Sequence, residues 1–282
     1  MSKPAEFVIR PKSTGIIAML LDLWRYKRLV VYFSVRTVRM RYKETILGWL
    51  WLIIRPLIPA LISTVIFGKL AQFPSDDVPY LVFFFTGMSL WTLFNTALLY
   101  ATRSMRLNRR LVTKLYFPRI IIPLTSIAPF VLEFFINIAV LIGIFILFYV
   151  RTGVCYVSFR PALLLCGIFF LATLILAWGI GFVTSILNAQ ARDVRFTLPF
   201  VLNMWYFITP VIYPLSFIPE KWRPLAILNP MTAIVEGFKW SILGRGELNI
   251  WYVVYSLVLV LLVFSGGLYF FSRAEAKFID SM

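Results

Sequence analysis

The chain has 282 residues, of which 61% are hydrophobic and only 14% are charged, yet its formal net charge is +16. Soluble globular domains are about half apolar and about one quarter charged, so this composition excludes an ordinary water-soluble domain and indicates a membrane protein. The sequence contains no histidine and its two cysteines match no metal or redox spacing, so we predict no catalytic residue and no metal site.

The first predicted element covers residues 16–43, which have helical character but carry too many charges to cross a bilayer. Arg36, Arg39 and Lys43 recur at helical spacing, and apolar side chains share another face. We predict a basic amphipathic helix at the cytoplasmic membrane interface. It serves either as a lipid anchor or as a docking surface for a cytoplasmic partner.

Six segments are apolar enough to be transmembrane helices, which need about 20 residues. They comprise residues 46–68, 80–102, 120–150, 161–187, 196–212 and 251–271. The fifth is the shortest, and the third is over-long but contains Pro123 and Pro129, where it can kink. The sequence therefore predicts an all-α integral membrane protein that consists of one domain, residues 1–282, with six transmembrane helices.

Lysine and arginine in the short loops predict the orientation of these segments. Ten basic residues precede the first segment and six lie between the second and the third. We therefore predict that both termini and these loops face the cytoplasm. The positive charge is thereby explained by topology and by anionic membrane lipids, and we expect no nucleic-acid partner.

The loop between the second and third segments contains enough apolar residues to form a short amphipathic helix over residues 103–117. Pro118 ends this helix. Its positive charge either fixes the topology or allows the helix to fit a groove of a cytoplasmic subunit.

Residues 215–243 lie between the fifth and sixth segments and are predicted to form a re-entrant or interfacial helical hairpin at the outside face. Asn229 followed by Pro230 favours a helix start, and Gly244 favours a stop. The helix between them is about 21 Å long, which is too short to cross a membrane. We interpret the hairpin as a gate or pathway lid. Its candidate gate residues are Pro219, Trp222, Asn229, Pro230, Glu236 and Phe238.

Two ionisable residues lie within the predicted spans, Arg55 in the first and Glu133 in the third. Such residues are usually functional and usually paired. Both lie at similar depths from the cytoplasmic ends, so we predict an ion pair between Arg55 and Glu133 that joins the two spans or lines a transport path.

Nucleotide-binding and catalytic motifs are absent from the sequence. It contains no P-loop pattern, no G-x-S-x-G elbow and no H-E-x-x-H motif. We therefore predict a non-catalytic permease that has no cofactor of its own and receives energy from another subunit.

Seven short motifs are distributed along nearly the whole chain. They are residues 41–51 (RYKETILGWLW), 55–57 (RPL), 116–119 (YFPR), 187–195 (LNAQARDVR), 209–214 (TPVIYP), 218–222 (IPEKW) and 228–231 (LNPM). These motifs resemble those of ABC-2-type permeases of polysaccharide exporters. The most similar members of this family export O-antigen, capsular polysaccharide or teichoic acid.

The resemblance implies a dimer of this chain with two copies of a separate P-loop ATPase, which bind ATP and Mg²⁺. It also implies that the 103–117 helix couples to the ATPase and that the 215–243 hairpin is the gate. The implied coupling residues are Arg103, Arg106, Arg109, Arg110 and Lys114.

By the same resemblance, spans one and five of opposite subunits surround a path for a lipid-linked glycan, whose sugar rings stack on aromatic side chains. The candidate path residues are Trp49, Trp51, Arg55, Trp205, Tyr206 and Tyr213. The aromatic ones either line the path or belong to the interfacial belts of a membrane protein.

We therefore expect the permease subunit of an ATP-driven exporter of lipid-linked polysaccharide, of the O-antigen type, in the bacterial cytoplasmic (inner) membrane. The alternatives are an ABC-2 exporter of teichoic acid, capsule, drugs or small lipids. A membrane-embedded glycan or lipid enzyme is a more distant alternative, because the chain lacks histidine and a clustered acidic pair.

Overall fold

The structure, a computed structural model, describes residues 23–42, 50–114, 117–191, 193–246 and 248–280. These residues form helices joined by short turns and contain no β-strand, which confirms the all-α class. In chain order the helices are α1 (Lys27–Tyr42), α2 (Leu50–Ser63), α3 (Tyr80–Leu107), α4 (Arg109–Lys114), α5 (Ile121–Thr125), α6 (Ala128–Thr152), α7 (Leu165–Gln190), α8 (Val194–Ile208), α9 (Arg223–Leu228), α10 (Pro230–Leu243) and α11 (Ile250–Asp280). A π-helical turn (Thr64–Leu70) continues α2, and 3₁₀ turns (Pro161–Leu164 and Leu215–Phe217) precede α7 and α9.

Five helical segments of the described chain are long and apolar enough to cross a membrane. They are Leu50–Leu70, Tyr80–Leu107, Ile121–Thr152, Pro161–Gln190 and Ile250–Ala274, and they correspond to the first, second, third, fourth and sixth predicted spans. The fifth predicted span corresponds to α8, whose 15 residues extend over about 22 Å, less than the thickness of a bilayer core. A multi-pass helical membrane protein is thus confirmed, and the count of six spans stays a prediction.

Helix α3 is the centre of the bundle, and most of its side chains are buried. Two of the helices around it, α7 and α11, approach each other closely because glycines lie at their crossing. A Cβ atom added to Gly179 of α7 would lie only 2.8 Å from the Cα atom of Phe264 in α11. Gly267 faces the Gly179 backbone in the same crossing. Side chains at these two positions would force the helices apart.

Helices α2 and α8 are packed much less tightly than α3. Each buries a single side chain, Ala60 in α2 and Leu202 in α8. Prolines inside both helices remove backbone hydrogen bonds, and α2 continues beyond Pro56 and Pro59 into its π-helical turn. Both helices therefore present long apolar faces to whatever surrounds this chain.

The bundle has two ends of different character. At the end that holds α1, α4 and the C-terminus of α7, which we call the basic end, Asn188 Nδ2 donates to the Thr102 carbonyl at 3.0 Å. At the opposite end, the loops converge: the Ser158 amide donates to the Ile242 carbonyl at 2.8 Å. Gly244 ends α10 there with a left-handed backbone conformation, φ +65°.

Two predicted helices have different bounds in the structure. Helix α1 covers Lys27–Tyr42, whereas residues 16–22 and 43 of the predicted interface helix lie outside the described residues. The predicted 103–117 helix is divided: residues 103–107 complete α3, and α4 begins only after Asn108. Asn108 leaves the helical conformation at φ −103°, ψ +23°, so the break lies there rather than after Thr102, where the second predicted span ends. Residues 115–116 lie outside the described residues.

Candidate functional site

Two adjoining cavities extend along α2. The basic-end cavity, of about 830 Å³, lies between α1, α2, α3, α5 and α6. The mid-bundle cavity, of about 450 Å³, lies between α2, α3, α6 and α8. Leu52, Arg55 and Glu133 line both. The two cavities therefore form one track from the basic end into the middle of the bundle.

Polar side chains contribute part of the lining of the mid-bundle cavity, although the helices around it are apolar. Its polar lining residues are Arg55, Ser63, Thr92, Asn95, Thr96, Glu133, Asn137 and Asn203. Polar side chains in membrane-spanning helices usually face a protein interior or a water-filled path. Our sequence analysis missed the three asparagines because it considered only charged residues within the spans. An asparagine inside an otherwise apolar span is the signal that could have revealed them.

Glu133 of α6 pairs with Arg41 and not with Arg55, which corrects the predicted ion pair. Arg41 Nε donates to Glu133 Oε1 at 2.9 Å, and the Tyr42 hydroxyl donates to the same oxygen at 3.0 Å. Arg55 is exposed and forms no ion pair within the described part of the chain. The prediction failed because it compared depths along the spans only, whereas the end of α1 packs against α6 and brings Arg41 to the carboxylate.

Arg41 is held by aromatic rings as well as by Glu133. Its guanidinium carbon lies 4.7 Å from the ring centroid of Tyr100 and 4.5 Å from that of Phe130. Burial lowers the pKa of Arg41, but the neighbouring Glu133 carboxylate and Tyr100 outweigh this effect, so that the net pKa lies above its ordinary value. This desolvated pair fastens α1 to the wall of the basic-end cavity.

Three of the predicted path residues line the track. Trp51 and Arg55 line the basic-end cavity, and Tyr206 lines the mid-bundle cavity together with Arg55. Tyr206 also packs against Trp91, with ring centroids 5.5 Å apart. Trp49 lies outside the described residues.

The other two predicted path residues, Trp205 and Tyr213, line neither cavity. The Trp205 indole N–H donates to Asn229 Oδ1 at 2.7 Å, and its ring packs edge to face against Phe94. The Tyr213 hydroxyl donates to the Phe207 carbonyl at 2.8 Å. Both side chains stabilise the end of α8.

Asn229 joins the end of α8 to the start of α10. Its Oδ1 accepts the Met231 amide at 2.9 Å, which caps α10, in addition to the Trp205 indole. Its Nδ2 donates to Thr209 Oγ1 at 2.8 Å. One side chain thus satisfies polar groups of two helices.

Lys239 of α10 is a second connection to residues 209–213. Its side chain is only 3% exposed, and its Nζ donates to the Pro210 carbonyl at 2.9 Å. The same Nζ lies 2.6 Å from Glu236 Oε1 and 3.9 Å from the centroid of the Phe83 ring. Tyr80 of α3 adds a further bond, from its hydroxyl to the Ile212 carbonyl at 2.7 Å.

Asp76 places a second carboxylate close to this buried ammonium. It lies in the loop before α3 with φ +52°, and a Cβ atom added to Gly246 would lie 3.3 Å from its carboxylate. Burial raises the pKa of Asp76, the Lys239 ammonium lowers it, and the neighbouring Asp77 raises it. The loops at this end therefore converge on one buried cation.

The predicted hairpin over residues 215–243 consists of two unlike arms. Pro219 and Trp222 precede α10 on the exposed arm. Pro230 and Phe238 are buried on α10, which packs against α3, α7 and α11. Polar side chains of α10 are buried as well, including Thr232 and Lys239.

The predicted coupling residues all lie at the basic end. Arg103 and Arg106 are half-buried in the last turns of α3, and Arg109 and Arg110 are exposed on α4. Lys114 is the last residue of α4. Elsewhere in the described chain, no group of three or more cysteine, aspartate or glutamate side chains is arranged to hold a metal ion.

Comparison with known proteins identifies the family. The profile described as "ABC-2 type transporter" matches residues 28–243. The chain belongs to the ABC-2 type transporter family. In this ABC-2 chain, the match extends from α1 through α10 and includes every residue of both cavities.

Relatives of this ABC-2 chain are named as export or transport proteins. The O-antigen export system permease protein RfbA of Klebsiella pneumoniae is 26% identical over 252 residues, which cover 89% of this chain and 94% of the relative. The protein of the same name from Myxococcus xanthus is 26% identical over 226 residues, 79% of this chain and 84% of the relative. The polysialic acid transport protein KpsM of Escherichia coli is 27% identical over 203 residues, 72% and 76% respectively.

Proposed function

We propose that this chain is the membrane-spanning permease subunit of an ATP-driven exporter of lipid-linked polysaccharide, of the O-antigen type. The observation that carries the proposal is the polar track along α2, which combines asparagine and threonine side chains with Trp51 and Tyr206. The family match and the names of the relatives support it.

The lining of the track suits a sugar polymer. Asparagine and threonine side chains exchange hydrogen bonds with sugar hydroxyls, and the faces of sugar rings stack on Trp51 and Tyr206. None of these groups fixes one sugar as a deep charged pocket would. A chain of sugars can therefore slide through the track.

In the membrane, two copies of this chain form the permease, with both termini on the cytoplasmic side of the bacterial inner membrane. Helix α8 is the sixth membrane-embedded helix. The exposed apolar faces of α2 and α8 support this assembly, because a second copy would cover them and enclose the track.

Two copies of a P-loop ATPase dock at the basic end and bind ATP and Mg²⁺. Helix α4 is the coupling element, and the exposed guanidinium groups of Arg109 and Arg110 face the ATPase. Residues 215–243 form the gate at the outside face. Helix α10 passes the movement on to α8 through Asn229 and Lys239.

The proposed transport path can be tested by introducing a larger side chain into its wall. Asn203→Trp adds bulk to the wall of the mid-bundle cavity, and we expect it to abolish surface polysaccharide in a strain that lacks the native gene. The matched control is Val258→Trp on the exposed face of α11, which lines neither cavity and should export normally. Normal export by Asn203→Trp at equal membrane levels would contradict the proposed path. Unchanged surface polysaccharide in the deletion strain itself would contradict the proposed function.

The coupling role is tested by reversing charge on α4. The double variant Arg109→Glu/Arg110→Glu should insert normally, lose export, and fail to co-purify with the partner ATPase. Arg151→Glu, at an exposed arginine of the opposite end, is the matched control. Export at the wild-type level by the double variant would exclude α4 as the coupling element.

A further inference from the structure

We propose that Asp76 is a pH switch at the end of the bundle opposite the basic end: its protonated carboxyl group stabilises the packing of the turn before α3 against α10, and its ionised form weakens that packing. The inference rests on the proposed function, which places this end outside the cytoplasm and makes its movement part of export. It adds a regulation of that movement by the pH outside the cytoplasm.

The switch residue lies in a tight turn before α3. The Val78 amide donates to the Ser75 carbonyl at 3.2 Å, and the Ser75 hydroxyl donates to the Val78 carbonyl at 2.7 Å. The two central residues, Asp76 and Asp77, have left-handed backbone conformations, with φ of +52° and +59°. Positive φ at both central positions is the signature of a type I′ turn. Because neither residue is glycine, this conformation costs free energy and persists only where the surroundings hold it.

The turn places the Asp76 side chain against the loop that follows α10. A Cβ atom added to Gly246 in that loop would lie 3.3 Å from Asp76 Oδ2. Asp76 is half-buried there, whereas its neighbour Asp77 is exposed. A separation of α10 from the α3 side would therefore uncover Asp76 and return its carboxylate to water.

The Asp76 carboxylate is poorly compensated in this packed position. The ammonium group that acts on it, that of Lys239, lies 2.6 Å from Glu236 Oε1 and donates to the Pro210 carbonyl at 2.9 Å. One carboxylate thus already neutralises this ammonium. Asp77 adds a further negative charge from within the turn. A second buried carboxylate beside a single ammonium loses its hydration and gains little in exchange.

The other ionisable groups around the turn do not change this balance. The Tyr80 hydroxyl is neutral and donates to the Ile212 carbonyl at 2.7 Å. Arg245 is exposed and forms no ion pair with a residue that the structure describes. Glu247 lies outside the described residues, and as an acidic residue it cannot supply a positive charge to Asp76.

The direction of the switch follows from proton linkage. Burial raises the pKa of Asp76, the Lys239 ammonium lowers it and Asp77 raises it, and the net pKa lies above its ordinary value. After separation, Asp76 in water would return to that ordinary value. The packed arrangement therefore binds the proton more tightly, and the stability that it gains below the ordinary pKa is lost as the pH rises through the raised pKa. Acid outside the cytoplasm holds α10 in place, and neutral pH favours its movement.

The test compares the two aspartates of the same turn in the purified full chain. Asparagine tolerates the left-handed conformation, so Asp76→Asn and Asp77→Asn both preserve the turn. Asp76→Asn imitates the protonated acid. At neutral pH it should melt about 2 °C or more above the wild type and show slower amide exchange in α10, and at a pH of about 4 the two should agree. Asp77→Asn should retain the pH dependence but displace it to lower pH, because Asp77 contributes to the raised pKa of Asp76.

Three results would overturn the inference: equal melting temperatures of Asp76→Asn and the wild type at every pH, a lower melting temperature of Asp76→Asn at neutral pH, or equal effects of the two substitutions. Misfolding cannot imitate the expected result, which is a gain of stability confined to the higher pH.

Export in cells tests the regulatory consequence separately. At neutral external pH, Asp76→Asn should export at about half the wild-type rate or less, because its turn stays packed against α10, whereas Asp77→Asn should export normally. Equal export by Asp76→Asn and the wild type would contradict the switch. If export depends on this chain but Asp76→Asn and the wild type behave alike in all assays, this inference fails and the proposed function stands.

Discussion

Replacing Lys239 with methionine should destabilise the chain more than any other single lysine substitution in its described part. Methionine retains the length of the lysine stem, so packing changes little. The substitution removes the ammonium that lies 2.6 Å from Glu236 and donates to the Pro210 carbonyl at 2.9 Å. It leaves a buried carboxylate and a buried carbonyl without their partner.

The expected loss follows from that burial. Removing one member of a buried ion pair costs about 3–5 kcal/mol because the remaining charge is uncompensated. For a chain of this size, this corresponds to a fall in the apparent melting temperature of about 10 °C. Lys221→Met is the matched control: the same side chain is removed from an exposed position at the same end, where an ion pair or cation–π contact is worth about 1 kcal/mol or less.

The ionisation of Glu236 determines how the stability of Lys239→Met changes with pH. Burial raises the pKa of Glu236, and the Lys239 ammonium opposes that rise. Without the ammonium, the folded chain retains a proton on Glu236 at pH values at which the unfolded chain has lost it. The folded state then binds more protons than the unfolded state, so the stability of Lys239→Met falls as the pH rises above the ordinary pKa of a glutamate.

The assay is thermal unfolding of the purified chain in detergent, followed by the loss of monodisperse protein. Glu236→Gln added to Lys239→Met should recover part of the lost stability and reduce the added pH dependence, because the carboxylate next to the missing ammonium is replaced by a neutral amide. Asp76, whose pKa the ammonium also lowers, keeps its carboxylate in this double variant. If Lys239→Met unfolds at the same temperature as Lys221→Met, or if the double variant is less stable than Lys239→Met, the ion pair is not what stabilises this end.

Two further substitutions test the packing around the same end. Asn229→Ala removes a helix cap and the partner of the Trp205 indole, so it should lower the free energy of unfolding by about 2–4 kcal/mol. The control Asn249→Ala removes only the cap of α11 and should lower it by about 1 kcal/mol. Equal losses of stability in thermal unfolding would refute a connecting role for Asn229. Gly237→Ala places a methyl group against the Phe169 ring and should cost about 1–3 kcal/mol. Gly143→Ala, which meets nothing within 4 Å, should instead be neutral or stabilising, and similar melting temperatures would contradict this view of the packing.

Local sequence rules were sufficient to predict the ends of α10 and the positions of the long helices. Asn229, Pro230 and Gly244 predicted α10, and the structure confirms both of its ends, with Asn229 as the cap and Gly244 in the left-handed conformation. The hydropathy of five segments predicted five long helices. In both cases the determining interactions lie within a few residues along the chain.

Side-chain partners that lie on other helices could not be predicted from local sequence rules. Glu133 received the wrong partner because the correct one, Arg41, belongs to an interface helix whose docking site is set by packing against α6. The burial of Lys239 was not predicted, since its carbonyl partner on Pro210 is 29 residues away in the sequence. Helical periodicity identifies two faces of a helix, but it does not reveal that a polar face can be buried when its partners come from other segments.

The connections at the end of α8 restrict how the track can open. Tyr206 lines the mid-bundle cavity, and one turn later residues 209–213 are bonded to Asn229 and Lys239 on the α10 side and to Tyr80 on α3. A movement of α10 away from α3 must therefore break buried hydrogen bonds on one side of residues 209–213, either those to Asn229 and Lys239 or the one to Tyr80. Breaking the Lys239 bond leaves a buried ammonium without one of its partners, which costs more than releasing the neutral Tyr80 hydroxyl and shifting a helix that buries only Leu202. Helix α8, with Tyr206 on it, should accordingly move together with α10, so that the outer end and the cavity wall change as one unit.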